Sequence, residues 1–123
     1  MKCFGNYTFI YPYVVLTNDL FPPSNDLKGG TIGDYSVIGS HSVILSYIII
    51  GENCLVSANS VVKNNIPDYT LVMGDPAKPV IDVRKFVILG KGKLYPWMYR
   101  FSSGMPWEKT GFENWINKSD DKI

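Results

Sequence analysis

The chain reads as an all-β protein wound into a three-sided parallel coil. Two observations carry that reading: an apolar residue returns every six positions, and the residues between returns are biased by column. Written in sixes from Ile32, the middle of the chain becomes IGDYSV, IGSHSV, ILSYII, IGENCL, VSANSV and VKNNIP. Running backwards past an interruption, FGNYTF, IYPYVV and LTNDLF fall into the same frame, so positions 4, 10, 16, 32, 38, 44, 50, 56 and 62 are all apolar. Glycine recurs at the second position (5, 33, 39 and 51) and a small residue at the fifth (Thr8, Ser36, Ser42, Cys54 and Ser60). A helix would repeat its apolar residues at three or four, and a half-buried strand at two. A sandwich would show turn signals about every 8–12 residues.

Each hexad then supplies one short strand whose first residue points inward. Glycine is expected to relax a corner where φ leaves the usual wells, and the small fifth residue to fit the next crowded corner. Three hexads make one turn, which stacks equivalent residues one strand spacing apart, about 4.8 Å. The expected interior columns are Phe4, Ile32 and Ile50; Ile10, Ile38 and Val56; and Leu16, Ile44 and Val62. Nine hexads give about three coils, with edge strands open at both ends.

The repeat region is assigned to residues 4–67. Its interruption, PPSNDLKGGT at 22–31, is rich in Pro and Gly, which forbid continuing the ladder, so it leaves one corner as a protruding loop. Loops thrown out from a rigid scaffold are where binding residues concentrate. Residues 68–123 form a second region of closing turn, hairpin and short helix. KFVILGKGKLYPWMYRF reads as two apolar strands around the turn from Gly90 to Lys93, and MPWEKTGFENWINK as a helix with Pro106 near its first turn. The aromatic residues crowded between Tyr95 and Trp115 are read as packing against an open coil end or a neighbouring subunit, ahead of stacking on a nucleotide base.

Bulk properties exclude several functions. A chain of 123 residues, 46% hydrophobic and 19% charged, fits one modest core. Its formal charge of +1 gives no broad field to attract nucleic acid or an anionic membrane, so an anionic ligand is expected to be caught locally. Two cysteines, Cys3 and Cys54, are too few for a disulfide framework and lack zinc-knuckle spacing. The first twenty residues show no basic start followed by an apolar signal core, and no aliphatic run approaches the roughly 18 residues of a membrane span. The expectation is a cytoplasmic protein without a span.

The hexad frame, together with the closing stretch VKNNIPDYTLVMGDPAKPV, resembles the hexapeptide-repeat acyltransferases, whose coil is a left-handed parallel β-helix. The handedness is implied by that resemblance alone, as are acetyl-CoA as co-substrate, no metal, and a homotrimer with active sites in grooves between subunits. The loop at 22–31 is implied to reach towards the neighbouring subunit. The family's Gly-Asn-Pro-Ala-Lys-like turn is here Gly74-Asp75-Pro76-Ala77-Lys78, with Asp for Asn. The resemblance implies that backbone near Ser57 and Ala58 pairs with pantetheine amides. It also implies that Gly74, Pro76 and Ala77 contact the adenine end, and that Lys63 or Lys78 meets phosphates, as a flexible ammonium suits. Ser57 stands where the family often has Gly.

Acetyl transfer from a thioester needs a path for the acceptor's proton, a donor for the oxyanion and good alignment. Many sugar O-acetyltransferases of this family place a histidine just before the loop, whereas this chain has Asn18 and Asp19. It therefore looks closer to the branch that N-acetylates nucleotide-linked amino sugars for surface polysaccharides. That branch carries Phe-Thr-Asn and then a Pro-Arg-Ser-like step; here the text is Leu-Thr-Asn and Pro-Pro-Ser. An amine is a better nucleophile than a hydroxyl and needs orientation and a modest proton acceptor. Asn18 is assigned to orienting the acceptor or polarising the thioester, and Asp19 to taking the proton; the competing reading is a loop-entry turn of the Asx type. His41, the only histidine, is the alternative base for O-acetylation of a glycan hydroxyl. One imidazole excludes a three-histidine zinc site. Related enzymes carry several more coils before the Thr-Asn motif, so a non-catalytic scaffold subunit is the third reading.

Overall fold

The structure is a computed structural model that describes residues 3–19 and 22–121. Leu20 and Phe21, the end of the LTNDLF hexad, lie outside the described residues. In each hexad two residues are extended, the last residue of the previous hexad and the apolar first of the next. They form β1 (Cys3–Phe4), β2 (Phe9–Ile10), β3 (Val15–Leu16), β4 (Thr31–Ile32), β5 (Val37–Ile38), β6 (Val43–Ile44), β7 (Ile49–Ile50), β8 (Leu55–Val56) and β9 (Val61–Val62).

These strands stack in parallel on three faces, β1-β4-β7, β2-β5-β8 and β3-β6-β9. Phe4 pairs with Ile32 and Ile32 with Ile50, Ile10 with Ile38 and Ile38 with Val56, Leu16 with Ile44 and Ile44 with Val62. The three columns expected from the period are the three columns of the coil. Their second and third members, Ile32, Ile38, Ile44, Ile50, Val56 and Val62, are no more than 1% exposed. Each such burial stabilises by about 1.5–3 kcal/mol. Phe4 and Ile10 hold the same inward positions but stay exposed, because only one side of the first coil is stacked.

The corners differ from the sequence expectation. Positive φ falls on the fourth position, at Tyr7, Tyr13, Tyr35, His41, Tyr47, Asn53 and Asn59, and not on the second-position glycines. Those glycines answer to space instead. A Cβ on Gly33 would lie 2.6 Å from the carbonyl carbon of Gly51, and one on Gly39 would lie 2.6 Å from the amide nitrogen of Ala58. The next coil's backbone runs where a side chain would be. A left-handed φ costs a non-glycine residue about 1–3 kcal/mol, and stacking along the corner offsets it: Tyr7 lies on Tyr35 at 5.7 Å between ring centroids. The buried fifth-position serines join coils, since Ser36 Oγ donates to Gly51 O and accepts from Cys54 N.

The ladder also runs past residue 67, where the strict frame placed its end. Ile66 bridges Ile50 in parallel, and β10 (Thr70–Gly74) sets Leu71 and Val72 beside Leu55 and Val56. The step from Val62 to Ile66 is two residues short, so IPDYTL is a further hexad, and its fourth residue, Tyr69, takes φ 60°. At Asp75 and Pro76 the chain reverses into antiparallel β11 (Ala77–Asp82), which buries Ala77 in the coil's core.

Beyond it, β12 (Val87–Ile88) and β13 (Gly92–Lys93) form a hairpin tighter than the expected one, since Gly92 and Lys93, placed in its turn from sequence, are its second strand. The helix, α1 (Phe112–Asp121), begins well after Pro106, following Gly111 at φ 84°. The aromatic tail lies along the flank of the coil and not across its end. Trp97 Nε1 donates to Tyr35 O at 2.7 Å, and Trp97, Trp107 and Phe112 pack with Tyr7, Phe9, Tyr35 and Val37.

Candidate functional site

The tail's placement makes a groove. Where the aromatic cluster stops, the outward side of the second face is left open between β5 and β8 on one side and the returning chain on the other. The result is a groove of about 410 Å³ whose floor includes Val37, Leu55 and Leu71 and whose far wall is Phe86 and Tyr95. Those two rings stack at 5.8 Å. Burial pushes the Tyr95 phenol up from its ordinary value, keeping the wall neutral. Ser57 and Ala58 line the groove, as do Gly39 and Ser40 one coil away. Small side chains at these positions leave the main chain accessible to an elongated ligand. Sequence reasoning missed Phe86, Tyr95, Met73 and Tyr11 as lining residues; the tail's aromatic density was a signal for Tyr95 alone.

The closing turn stands at the top of the same face. Gly74 turns through φ 103°, and its N–H donates to Ser60 Oγ at 3.2 Å. Pro76 is exposed, while Ala77 is turned into the core. Lys63 and Asp75 form an ion pair at 3.2 Å with both side chains about half exposed. The Asp that replaces the family's Asn thus occupies Lys63. Lys78 is exposed on β11 and has no ion pair among the described residues, so of the two lysines it is the one available to an anion.

The loop root lies elsewhere. Asn18 is exposed, and its carbonyl accepts from Lys28 N at 2.8 Å. Asp19 holds the fourth position of its hexad but is not among the residues of positive φ; instead it bridges Leu27 across the root of the loop. Its carboxylate accepts from Ser24 N at 2.9 Å and from Ser24 Oγ at 2.6 Å. These bonds reach five residues ahead and tie the loop's first residues back to its root, a longer closure than the Asx turn expected from sequence. The loop folds back on its own chain, where the Tyr47 hydroxyl donates to Asp26 and Lys28 Nζ lies 5.5 Å from the Tyr47 ring. One coil beyond Asn18 in register, Ser46 is buried with an unpartnered hydroxyl.

His41 sits between these places, on the corner joining the second and third faces. It is exposed at φ 63°, its N–H donates to Pro12 O, and its ring meets Tyr13 edge-on at 5.1 Å. It follows Ser40, a groove residue whose carbonyl accepts from Asn59 N. Of the residues singled out in the sequence, only Ser57 and Ala58 line the groove. Gly74 follows its lining residue Met73, Lys63 pairs with Asp75 at the turn, Lys78 is exposed on β11, His41 is next to Ser40, and Ala77 is buried in the core, away from any adenine contact. Neither Asn18 nor Asp19 lines the groove. Among the described residues no cluster of His, Cys, Asp or Glu suits a metal, and no helix is long and apolar enough to cross a membrane.

Residues 29–64 match the family of bacterial transferase hexapeptide (six repeats). Compared with curated proteins, the chain matches none. Among solved structures it is similar to serine acetyltransferase of Neisseria gonorrhoeae at 34% identity and a TM-score of 0.60, over 66% of this chain and 31% of that one. It is also similar to serine acetyltransferase of Brucella abortus, at 26% identity and a TM-score of 0.60, over 66% of this chain and 32% of that one. A point mutant of the N-acyltransferase AntD from Bacillus cereus, in complex with dTDP and coenzyme A, shares the fold at 21% identity and a TM-score of 0.55, over 66% of this chain and 52% of that one. The chain spans about a third of the length of the two serine acetyltransferases. By its hexads, its three stacked faces and these matches, the coil is a left-handed β-helix of hexapeptide repeats, similar to those of the hexapeptide-repeat acetyltransferases.

Proposed function

We propose that this chain transfers an acetyl group from acetyl-CoA to a sugar, with the amine of a nucleotide-linked amino sugar for surface polysaccharide as the preferred acceptor. The observation that carries the reading is the groove of about 410 Å³ beside Ser57 and Ala58, leading to the turn at Gly74 and the unpaired Lys78. Its apolar walls suit a pantetheine arm, and Lys78 suits a phosphate. The acceptor nitrogen attacks the thioester carbonyl; the C–N bond forms as the C–S bond breaks, and the thiolate of coenzyme A leaves. The nitrogen's proton passes to Asp19 or to water, and Asn18 orients the acceptor. Such use of acetyl-CoA is cytoplasmic.

In a single chain Asn18 and Asp19 stand away from the groove, so the reading requires a homotrimer in which one protomer's loop root meets a neighbour's groove. Val15 and Ile49, each about half exposed on the third and first faces, offer apolar surface for that contact.

A second reading, O-acetylation with His41 as base, is favoured by one observation. Both carboxylate oxygens of Asp19 are already bonded to Ser24, whereas His41 adjoins the groove through Ser40. Thiol release measured for Asp19→Ala and His41→Asn with amino-sugar and hydroxyl acceptors separates the two. We expect the Asp19 variant to lose about 10²-fold on amines; an undiminished rate would overturn the preferred assignment. If calorimetric titration shows no binding of coenzyme A, the scaffold reading alone stands.

A further inference from the structure

Val87, Ile88 and Leu89 run consecutively through the hairpin and are 58%, 39% and 99% exposed. Because neighbouring strand residues point to opposite sides, exposure of both Val87 and Ile88 means that neither side of β12 is fully covered by this chain. Three consecutive exposed apolar residues point to a function outside the core. Leu89 stands at the turn, where Lys91 N donates to Ile88 O at 2.9 Å, and a Cβ on Gly90 or Gly92 would meet nothing within 4 Å. The tip is therefore a convex knob standing clear of the fold.

Charge is concentrated on the same element. Four of the chain's twelve basic residues and none of its eleven acidic ones fall between Arg84 and Lys93, so this segment carries +4 while the rest of the chain carries −3. Arg84 is committed to Asp82, with Nη2 2.7 Å from Oδ2, and its guanidinium lies 4.0 Å from the Tyr69 ring centre. Lys85, Lys91 and Lys93 are exposed and have no ion pair among the described residues. Three cations thus stand behind an apolar tip.

We propose that this hairpin docks the protein on an anionic lipid surface, with Leu89 entering the headgroup boundary and the three lysines meeting lipid phosphates. A polyanion alone would satisfy the lysines and leave Leu89 in water. A membrane accepts a convex apolar tip without needing a matching cavity, and its negative surface complements the one strongly basic segment of the chain.

Co-sedimentation of the full chain with two kinds of vesicle tests the proposal, one of phosphatidylcholine alone and one in which about a third of the lipid is phosphatidylglycerol. The expected result is binding to the anionic vesicles only, reversed by about 0.5 M salt, where the screening length shrinks to a few ångströms. Each of Lys85→Gln, Lys91→Gln and Lys93→Gln should weaken binding about fivefold, and Leu89→Asp should weaken it more than any one of them. Leu89 touches no core, so an unchanged thermal midpoint confirms that these variants fold. Equal binding to both vesicles, or none to the anionic ones, overturns the proposal. So does a change of oligomeric state in Leu89→Asp without vesicle binding, which would make the tip a contact between copies.

Discussion

The coil and the tail are both held by buried apolar clusters, yet they are ordered by different means. In the coil, Ile32, Ile38, Ile44, Ile50, Val56 and Val62 repeat one environment, and every strand pairs with its neighbour one coil away. In the tail nothing repeats. Trp97 and Trp107 are fixed by single indole bonds, to Tyr35 O and Phe101 O, and by ring edges such as that between Trp107 and Phe112 at 5.1 Å. Removing one piece should therefore affect a whole stack in the coil and only a seam in the tail.

The largest expected effect is in the coil. Ile50 is fully buried between Ile32 and the bridge to Ile66. Ile50→Ala should cost about 4 kcal/mol from the lost transfer and the cavity, a large part of the roughly 5–15 kcal/mol that holds a domain of this size. Chemical denaturation should show one transition moved to lower denaturant for strand and tail signals alike. Separate movement of the two signals would break the idea of a cooperative stack.

Trp107→Ala should do less overall and act locally. The residue is fully buried against Tyr7, Tyr35 and Phe112. About 3 kcal/mol lost here should free the tail to limited proteolysis while the far-ultraviolet signal of the coil persists. Because Tyr95 walls the groove and precedes Trp97, affinity for coenzyme A should fall about tenfold. A tail that stays protected would mean that the two regions fold as one.

The same contrast explains what could be read from sequence. The period exposed the coil because each hexad solves the same problem, burying one aliphatic residue and turning one corner. It failed first at Asn64 and Asn65, where the step to Ile66 is two residues short and the strict frame hid IPDYTL. It also attributed to glycine a backbone conformation that belongs to the fourth position, because the close approach of Gly39 to Ala58 depends on a neighbour about eighteen places on, one full coil away. Of the groove's lining, Ser57 and Ala58 were singled out in advance, through the resemblance that the hexads and the closing stretch carry. The wall of Phe86 and Tyr95 was not, since its position follows from how the tail folds back.

Tyr35 lies on the seam itself, turning a corner of the coil and accepting the Trp97 indole N–H on its carbonyl. Burial, with smaller contributions from Tyr7, Asp34 and Glu52, pushes its phenol from 10.0 up to about 12. A detached or unfolded chain therefore releases that proton first. Its stabilising contribution is fully present below pH 10 and is lost as pH rises towards about 12. Cys54, inside the coil, is also raised by burial and begins to weaken the coil from a lower pH, starting from 9.0. The difference between wild type and Tyr35→Phe therefore isolates the seam. Thermal midpoints followed from about pH 8 to 11 should fall more steeply in the wild type than in the variant above about pH 10. Indole fluorescence should report the loss before the far-ultraviolet signal does. Parallel curves for the two proteins would mean that Tyr35 ionises without lifting the tail, and that the seam is no weaker than the stack it joins.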